Sequence, residues 1–338
     1  MRLVPLSALA PALFLAAPAL AQQQIVDRAL DDYVLPGFEM LAAETSELAA
    51  VAAEDCAPGS ETLRAAYGTA FDAWIGVSHL RFGPLEAENR AFALAFWPDR
   101  NGATPGSLGQ LLSEEDPVIE TAESYATVSV AARGFYAMEF LLYDEAVSAA
   151  AEGAYGCALI QAVAADIAAT SADALADWQE SHAELMRSAG SNQTYQSTNE
   201  ALRALYGSFV EGMEFTRDLR LGRPLGTFDR PRPRRAEVRR SERSQRHVEL
   251  ALETLAELAA LLSDVDAADS DRIAAAFEDA LTRVRALDDP AFAGVDNPGG
   301  RLRVEALMQS VEQAMQTAQN QIGPALGVAA GFNSLDGD

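Results

Sequence analysis

Tyr136 and Glu139 stand three residues apart in the run Arg133-Gly-Phe-Tyr-Ala-Met-Glu-Phe-Leu-Leu-Tyr-Asp144. On a helix this spacing sends both side chains from one face, about one turn apart, where they can meet a single ion or ligand. Phenol plus carboxylate is a hard oxygen pair, better matched to ferric iron or another hard divalent or trivalent metal than to zinc. A phenol of ordinary pKa about 10 ligates well only if a cation lowers that value, and Arg133 is the nearest one in sequence. The competing reading makes Tyr136 a half-buried bundle residue and Glu139 its hydrogen-bond partner, since aromatic residues at helical spacing usually belong to a core. A second group, Trp97, Asp99 and Arg100, falls on a segment broken by Pro98 and Gly102, and binding residues favour such irregular backbone. Its alternative is a hydrophobic plug with Trp97 buried for packing.

Common catalytic signatures are missing. The histidines are His79, His182 and His247, none in an H-E-x-x-H pair, and no nucleophile elbow, phosphate loop, dinucleotide fingerprint or C-x-x-C is present. Each lone histidine is expected to be structural. The formal charge of -25 repels a phosphate backbone and argues against a nucleic-acid partner. Within this acidic chain the segment Arg230 to Arg246 is an arginine island. It suits either an oxyanion or, the preferred reading, neutralisation of acidic neighbours.

The elements that must position these groups read as helices throughout. Alanine is abundant and apolar residues recur at three- and four-residue spacing, predicting helices over roughly 26–55, 60–81, 118–144, 153–189, 193–220, 237–263, 269–287 and 300–323. The fold class is therefore all-α, with two four-helix-bundle-like halves, residues 22–189 and 190–338. Phe82 to Glu115 is expected to be a long ordered loop with short turns. At the amino end, Arg2, a short apolar run and Ala19-Leu-Ala21 form a secretory leader over residues 1–21, cleaved to leave Gln22 first. No later segment reads as long enough to span a bilayer. Export places Cys56 and Cys157 in an oxidising compartment. Cys56 ends the first predicted helix and Cys157 begins the fourth, and in an up-down-up-down bundle those positions share one end, so a disulfide is expected.

Several stretches together resemble one family. Gly134, Tyr136 and Glu139 occupy the positions of the G-x-H-x-x-E motif of imelysins, with Tyr136 in place of the histidine. Ala73 to Pro84 is similar to that family's helix and F-G-P turn, Phe96 to Asp99 to its F-W-P-D turn, Arg239 to Ser244 to its serine-rich helix start, and Gly331 to Asp338 to its G-F-N-x-L-D-G-D ending. The resemblance implies helical bundles packed round a cleft, a cell-envelope location and an association with iron-responsive uptake.

The expected function is accordingly a periplasmic ligand-binding or accessory protein, with a peripheral place at the outer membrane as one option, linked to iron or metal uptake and without proteolytic activity. Its site would comprise Tyr136, Glu139, Arg133, Asp99, Trp97 and Arg100, with Tyr136 and Glu139 as metal ligands, and its partners a small ligand or metal ion and an envelope uptake component. Two alternatives stay open. One is a metal-dependent peptidase with Glu139 as general base, which needs at least three metal ligands. The other is a structural or docking protein of the envelope.

Overall fold

The computed structural model describes residues 16–264 and 267–328. The first fifteen residues of the expected leader and the Gly331 to Asp338 ending lie outside the described residues. Helix α1 (Ala16–Ala29) continues through a π turn, Leu30–Val34, into α2 (Leu35–Glu54). Helix α3 (Glu61–Val77) begins at Ser60, whose hydroxyl accepts from the Leu63 amide at 3.1 Å, as a serine cap should. Then come α4 (Arg90–Leu94), α5 (Ala103–Glu114), α6 (Ala122–Tyr125), α7 (Gly134–Tyr143), α8 (Glu145–Ala150) and α9 (Ala154–Asp177). A π turn, Trp178–His182, extends α9 into α10 (Ala183–Arg187), and another, Phe215–Leu221, joins α11 (Thr198–Glu214) to α12 (Gly222–Leu225). The described residues close with α13 (Ser244–Ser263), α14 (Ala267–Arg285) and α15 (Pro298–Leu326). No strand occurs among the described residues.

Helices α2, α3, α7 and α9 pack round one another, and so do α11, α13, α14 and α15. The two sets touch where α3 packs on α13, and their buried side chains form one continuous core. Helix α1 packs on α11 and α13 although it leads into the first set. The π turn at Leu30–Val34 is thus where one long helix passes from the second set to the first. Cys56, just beyond α2, is bonded to Cys157 in the first turn of α9 across 101 residues, with the Cα atoms 5.1 Å apart. That is the pairing expected from topology.

Three expectations are corrected. The segment predicted as one helix over 118–144 is broken into 3-10 turns, α6 and α7. The segment 82–115 contains the twelve-residue α5, whose Pro105 sits in the first turn, where a missing amide donor costs nothing. Residues 237–243, predicted to open a helix, are irregular, with Val238 and Glu242 at φ 44° and 57°. In addition, the continuous helix from Ala154 to Arg187 does meet the length and apolarity needed to cross a bilayer. Its Leu159, Ile160, Val163 and Ile167 are nevertheless buried, and it packs on α2 and α7, as a core helix does.

Candidate functional site

The site is built around the start of α7. Gly134 has φ +72°, and a Cβ there would meet the Leu94 and Ala93 carbonyl oxygens at 2.2 and 2.3 Å. Only glycine permits both the left-handed backbone and this approach. The end of α4 therefore lies against the start of α7, and the chain beyond it brings Trp97 parallel to Tyr136, with ring centroids 6.1 Å apart. Helix α7 is buried on nearly every side, Tyr136 and Glu139 included.

The Tyr136 hydroxyl donates to Glu237 Oε1. Arg220 Nε donates to the other oxygen at 2.9 Å and its Nη1 to Thr216 Oγ1 at 3.1 Å, while His247 Nδ1 lies 3.4 Å from Glu237 Oε2. All four of the residues Tyr136, Glu237, Arg220 and His247 are buried. Burial opposes ionisation of Glu237, but Arg220 foremost, then His247 and Tyr136, outweigh it and hold the carboxyl down at about 2. Burial pushes the Tyr136 phenol well above its ordinary value, and the Glu237 charge pushes it further. Burial likewise lowers His247, against the pull of Glu237. The resulting unit is a carboxylate held by one guanidinium and one protonated phenol, beside a neutral imidazole.

Glu139 turns elsewhere. Its Oε1 accepts from the Arg240 amide at 3.1 Å and from the Ser241 amide and hydroxyl at 3.2 Å each. Burial raises its pKa despite Arg240 and these donors. Arg240 in turn pairs with Asp144 at 2.7 Å and lies over the Phe140 ring at 3.7 Å. Both motif side chains thus fasten α7 to the irregular 237–243 turn, at different points. As metal ligands the pair fits poorly: the phenol is protonated and donating, and one Glu139 oxygen already accepts from three groups. Among the described residues no cluster of three His, Cys, Asp or Glu has a metal-holding arrangement.

The remaining predicted site residues separate. Arg133 is not the cation acting on Tyr136. It makes a bidentate pair with Asp166, Nε to Oδ2 at 2.9 Å and Nη2 to Oδ1 at 2.7 Å, and faces a groove of about 1040 Å³ along α9. Tyr136 and Glu139 do not line that groove, and the cations near the phenol are Arg220 and Arg81. Asp99 caps α5, accepting from the amides of Asn101, Ala103 and Thr104 at 3.2, 3.0 and 2.9 Å. Burial opposes its ionisation, yet these backbone donors keep its pKa below the ordinary value. Arg100 is exposed. Trp97 alone stays beside Tyr136, with Phe215 at 5.7 Å and the Arg223 guanidinium over its ring at 5.4 Å.

His79 and His182 behave structurally, bonded to Tyr33 at 2.8 Å and Tyr195 at 2.9 Å. The carboxyl end of the arginine island meets acids, in part as preferred: Arg240 pairs with Asp144, and Arg243 and Arg246 with Asp72. Sequence reasoning passed over Glu237, Arg220, Arg81 and the role of His247. The available signal was an acid, Glu237, set between Arg234-Arg235 and Arg239-Arg240.

Comparison with known proteins agrees with this architecture. A crystal structure of an imelysin-like protein from Psychrobacter arcticum 273-4 superposes with a TM-score of 0.76 at 18% identity, covering 93% of this chain and 98% of that one. A structure from Parabacteroides distasonis ATCC 8503, described as an iron-regulated protein A precursor, gives 0.73 at 14% identity, covering 90% and 95%. At such identities these likenesses establish the fold. No curated protein matches the sequence. The imelysin family model matches residues 34–318, and the chain belongs to the imelysin family.

Proposed function

We propose that this imelysin-family chain is an exported, periplasmic ligand-binding or accessory protein of the cell envelope, linked to iron or metal uptake, and not a peptidase. The observation that carries this reading is the bond from Tyr136 to Glu237. Where the family motif has an imidazole, this chain has a phenol committed to a buried carboxylate that is itself committed to Arg220. A hydrolytic metal needs about three protein ligands and an open position for water. Tyr136 and Glu139 do not supply that set, because each joins the helix to the 237–243 turn. The description of one structural relative as iron-regulated supports the link to iron, and in this reading any metal arrives within a ligand rather than on protein side chains.

The test is incubation of the mature protein with a denatured protein substrate, with added zinc or ferric ion and then with chelator. No cleavage is expected. Chelator-sensitive cleavage that disappears in Glu139→Gln would return the peptidase reading to first place.

A further inference from the structure

We propose that Arg81 and Arg223, which flank the rings of Phe215 and Trp97 beside the committed Arg220, bind a small carboxylate-bearing oxyanion. This rests on the ligand-binding reading above and names the ligand class. The Arg81 and Arg220 guanidiniums both lie over the Phe215 ring, at 5.3 and 4.7 Å, and Arg223 lies over Trp97, whose ring is 5.7 Å from Phe215. Two adjoining rings thus carry the cations, Arg81 and Arg220 on Phe215 and Arg223 on Trp97, beside the Tyr136 end of α7.

Only one of the three has a counter-charge in contact. Arg220 holds Glu237. Arg81 donates Nε to the Ser78 carbonyl at 3.1 Å, and its terminal nitrogens make no hydrogen bond and no ion pair among the described residues. Arg223 makes no ion pair there either, and its Nε is buried without a partner. Leaving a charged donor buried and unsatisfied is costly. In a chain of net charge -25 carboxylates are plentiful, and Arg90, Arg133, Arg217, Arg240 and Arg243, also partly buried, each hold one. The local field agrees. Burial, then Arg235 and Arg100, depress Arg223, with no carboxylate opposing them. Arg81 is depressed first by burial and also by Arg220, with Tyr136, Glu211 and Glu237 acting the other way.

Guanidinium forks match carboxylate and phosphate oxygens bidentately, and the flanking rings suit a ligand with some apolar surface. A compact polycarboxylate would supply the missing acceptors to Arg81 and Arg223 together. It would leave the Glu237 unit intact.

The mature protein is titrated calorimetrically with citrate and, separately, with inorganic phosphate, while the change in tryptophan emission is followed in wild type and in Trp97→Phe. Citrate should bind, more tightly than phosphate, and Arg81→Gln or Arg223→Gln should each weaken it by about tenfold or more. Melting temperatures of the ligand-free variants should equal or exceed wild type, because each loses an unpaired cation. If Arg81→Gln does not fold, Arg223→Gln carries the test alone. Absence of heat with both anions overturns the proposal, as does citrate binding unaffected by either substitution, and tighter binding of phosphate overturns the assignment to carboxylates. Loss of the non-peptidase reading would show instead in the cleavage assay, whatever citrate does.

Discussion

Two sets of arginines in this protein have opposite fates. The sequence-dense set, Arg240 to Arg246, meets acids of the first helical set: Arg240 takes Asp144, and Arg243 and Arg246 share Asp72. The dispersed set, Arg81, Arg220 and Arg223, comes from the segment after α3, the π turn beyond α11 and α12, and its members share aromatic rings and a single contacting carboxylate. Density along the chain therefore marks a junction, whereas the dispersed arginines meet one carboxylate in contact, Glu237, among the described residues. The difference follows from what the packing brings near each guanidinium: Asp72 in α3 and Asp144 at the end of α7 face the sequence-dense set, and no such acid contacts Arg81 or Arg223 among the described residues.

The largest effect should come from breaking the one compensated member of the second set. Glu237→Gln strands Arg220 and leaves Tyr136 with a weaker acceptor, and should cost about 3–5 kcal/mol in urea unfolding. A loss below about 1 kcal/mol would mean that the buried unit is not structural, and the contrast with the surface set would disappear.

Acid should separate the sets next. Glu237 sits at about 2 in the fold against an ordinary 4.5, so the unfolded chain takes its proton first, and stability falls as pH drops through that window. His79 is held at about 3 against 6.5, chiefly by burial, and contributes a loss of the same sign beginning at higher pH. Stability measured from pH 7 to 3 should decline throughout. In Glu237→Gln the part below pH 4.5 should be shallower, and an unchanged slope would contradict the assignment.

Smaller still is Asp72→Asn, which removes the shared partner of Arg243 and Arg246. With side-chain exposures of 21%, 45% and 27% for Arg243, Arg246 and Asp72, the pairs are partly solvated, and about 1 kcal/mol is expected from denaturant midpoints. A cost equal to that of Glu237→Gln would show that the two sets do not differ in kind.

The smallest change in stability, and the sharpest contrast, belongs to Arg81→Gln and Arg223→Gln. Either should leave the ligand-free protein within about 0.5 kcal/mol of wild type or make it more stable. Strong destabilisation would reveal these cations as structural and erase the distinction between paired and unpaired arginines.

Local chemistry determined much of this in the sequence alone. Recurrent apolar spacing and abundant alanine dictate an all-helical chain, because those preferences act within a few residues. The two cysteines pair as the order of helices requires, since antiparallel reversals return Cys157 to the level of Cys56. The family, too, was legible from short motifs in register. Tertiary structure alone decided what the motif side chains touch. Arg133 and Tyr136 are neighbours in sequence, yet the turn at Gly134 separates them: Arg133 faces Asp166 outside the start of α7, and Tyr136 faces Glu237, 101 residues away. Asp99 was expected at a ligand and instead ends up capping α5, a helix hidden by Pro105 and its glycines. Arg81 and Arg223 carry no sequence signal because a missing partner is a property of the surrounding space. Whether a guanidinium meets a carboxylate depends on how distant helices pack, and no spacing along the chain encodes that.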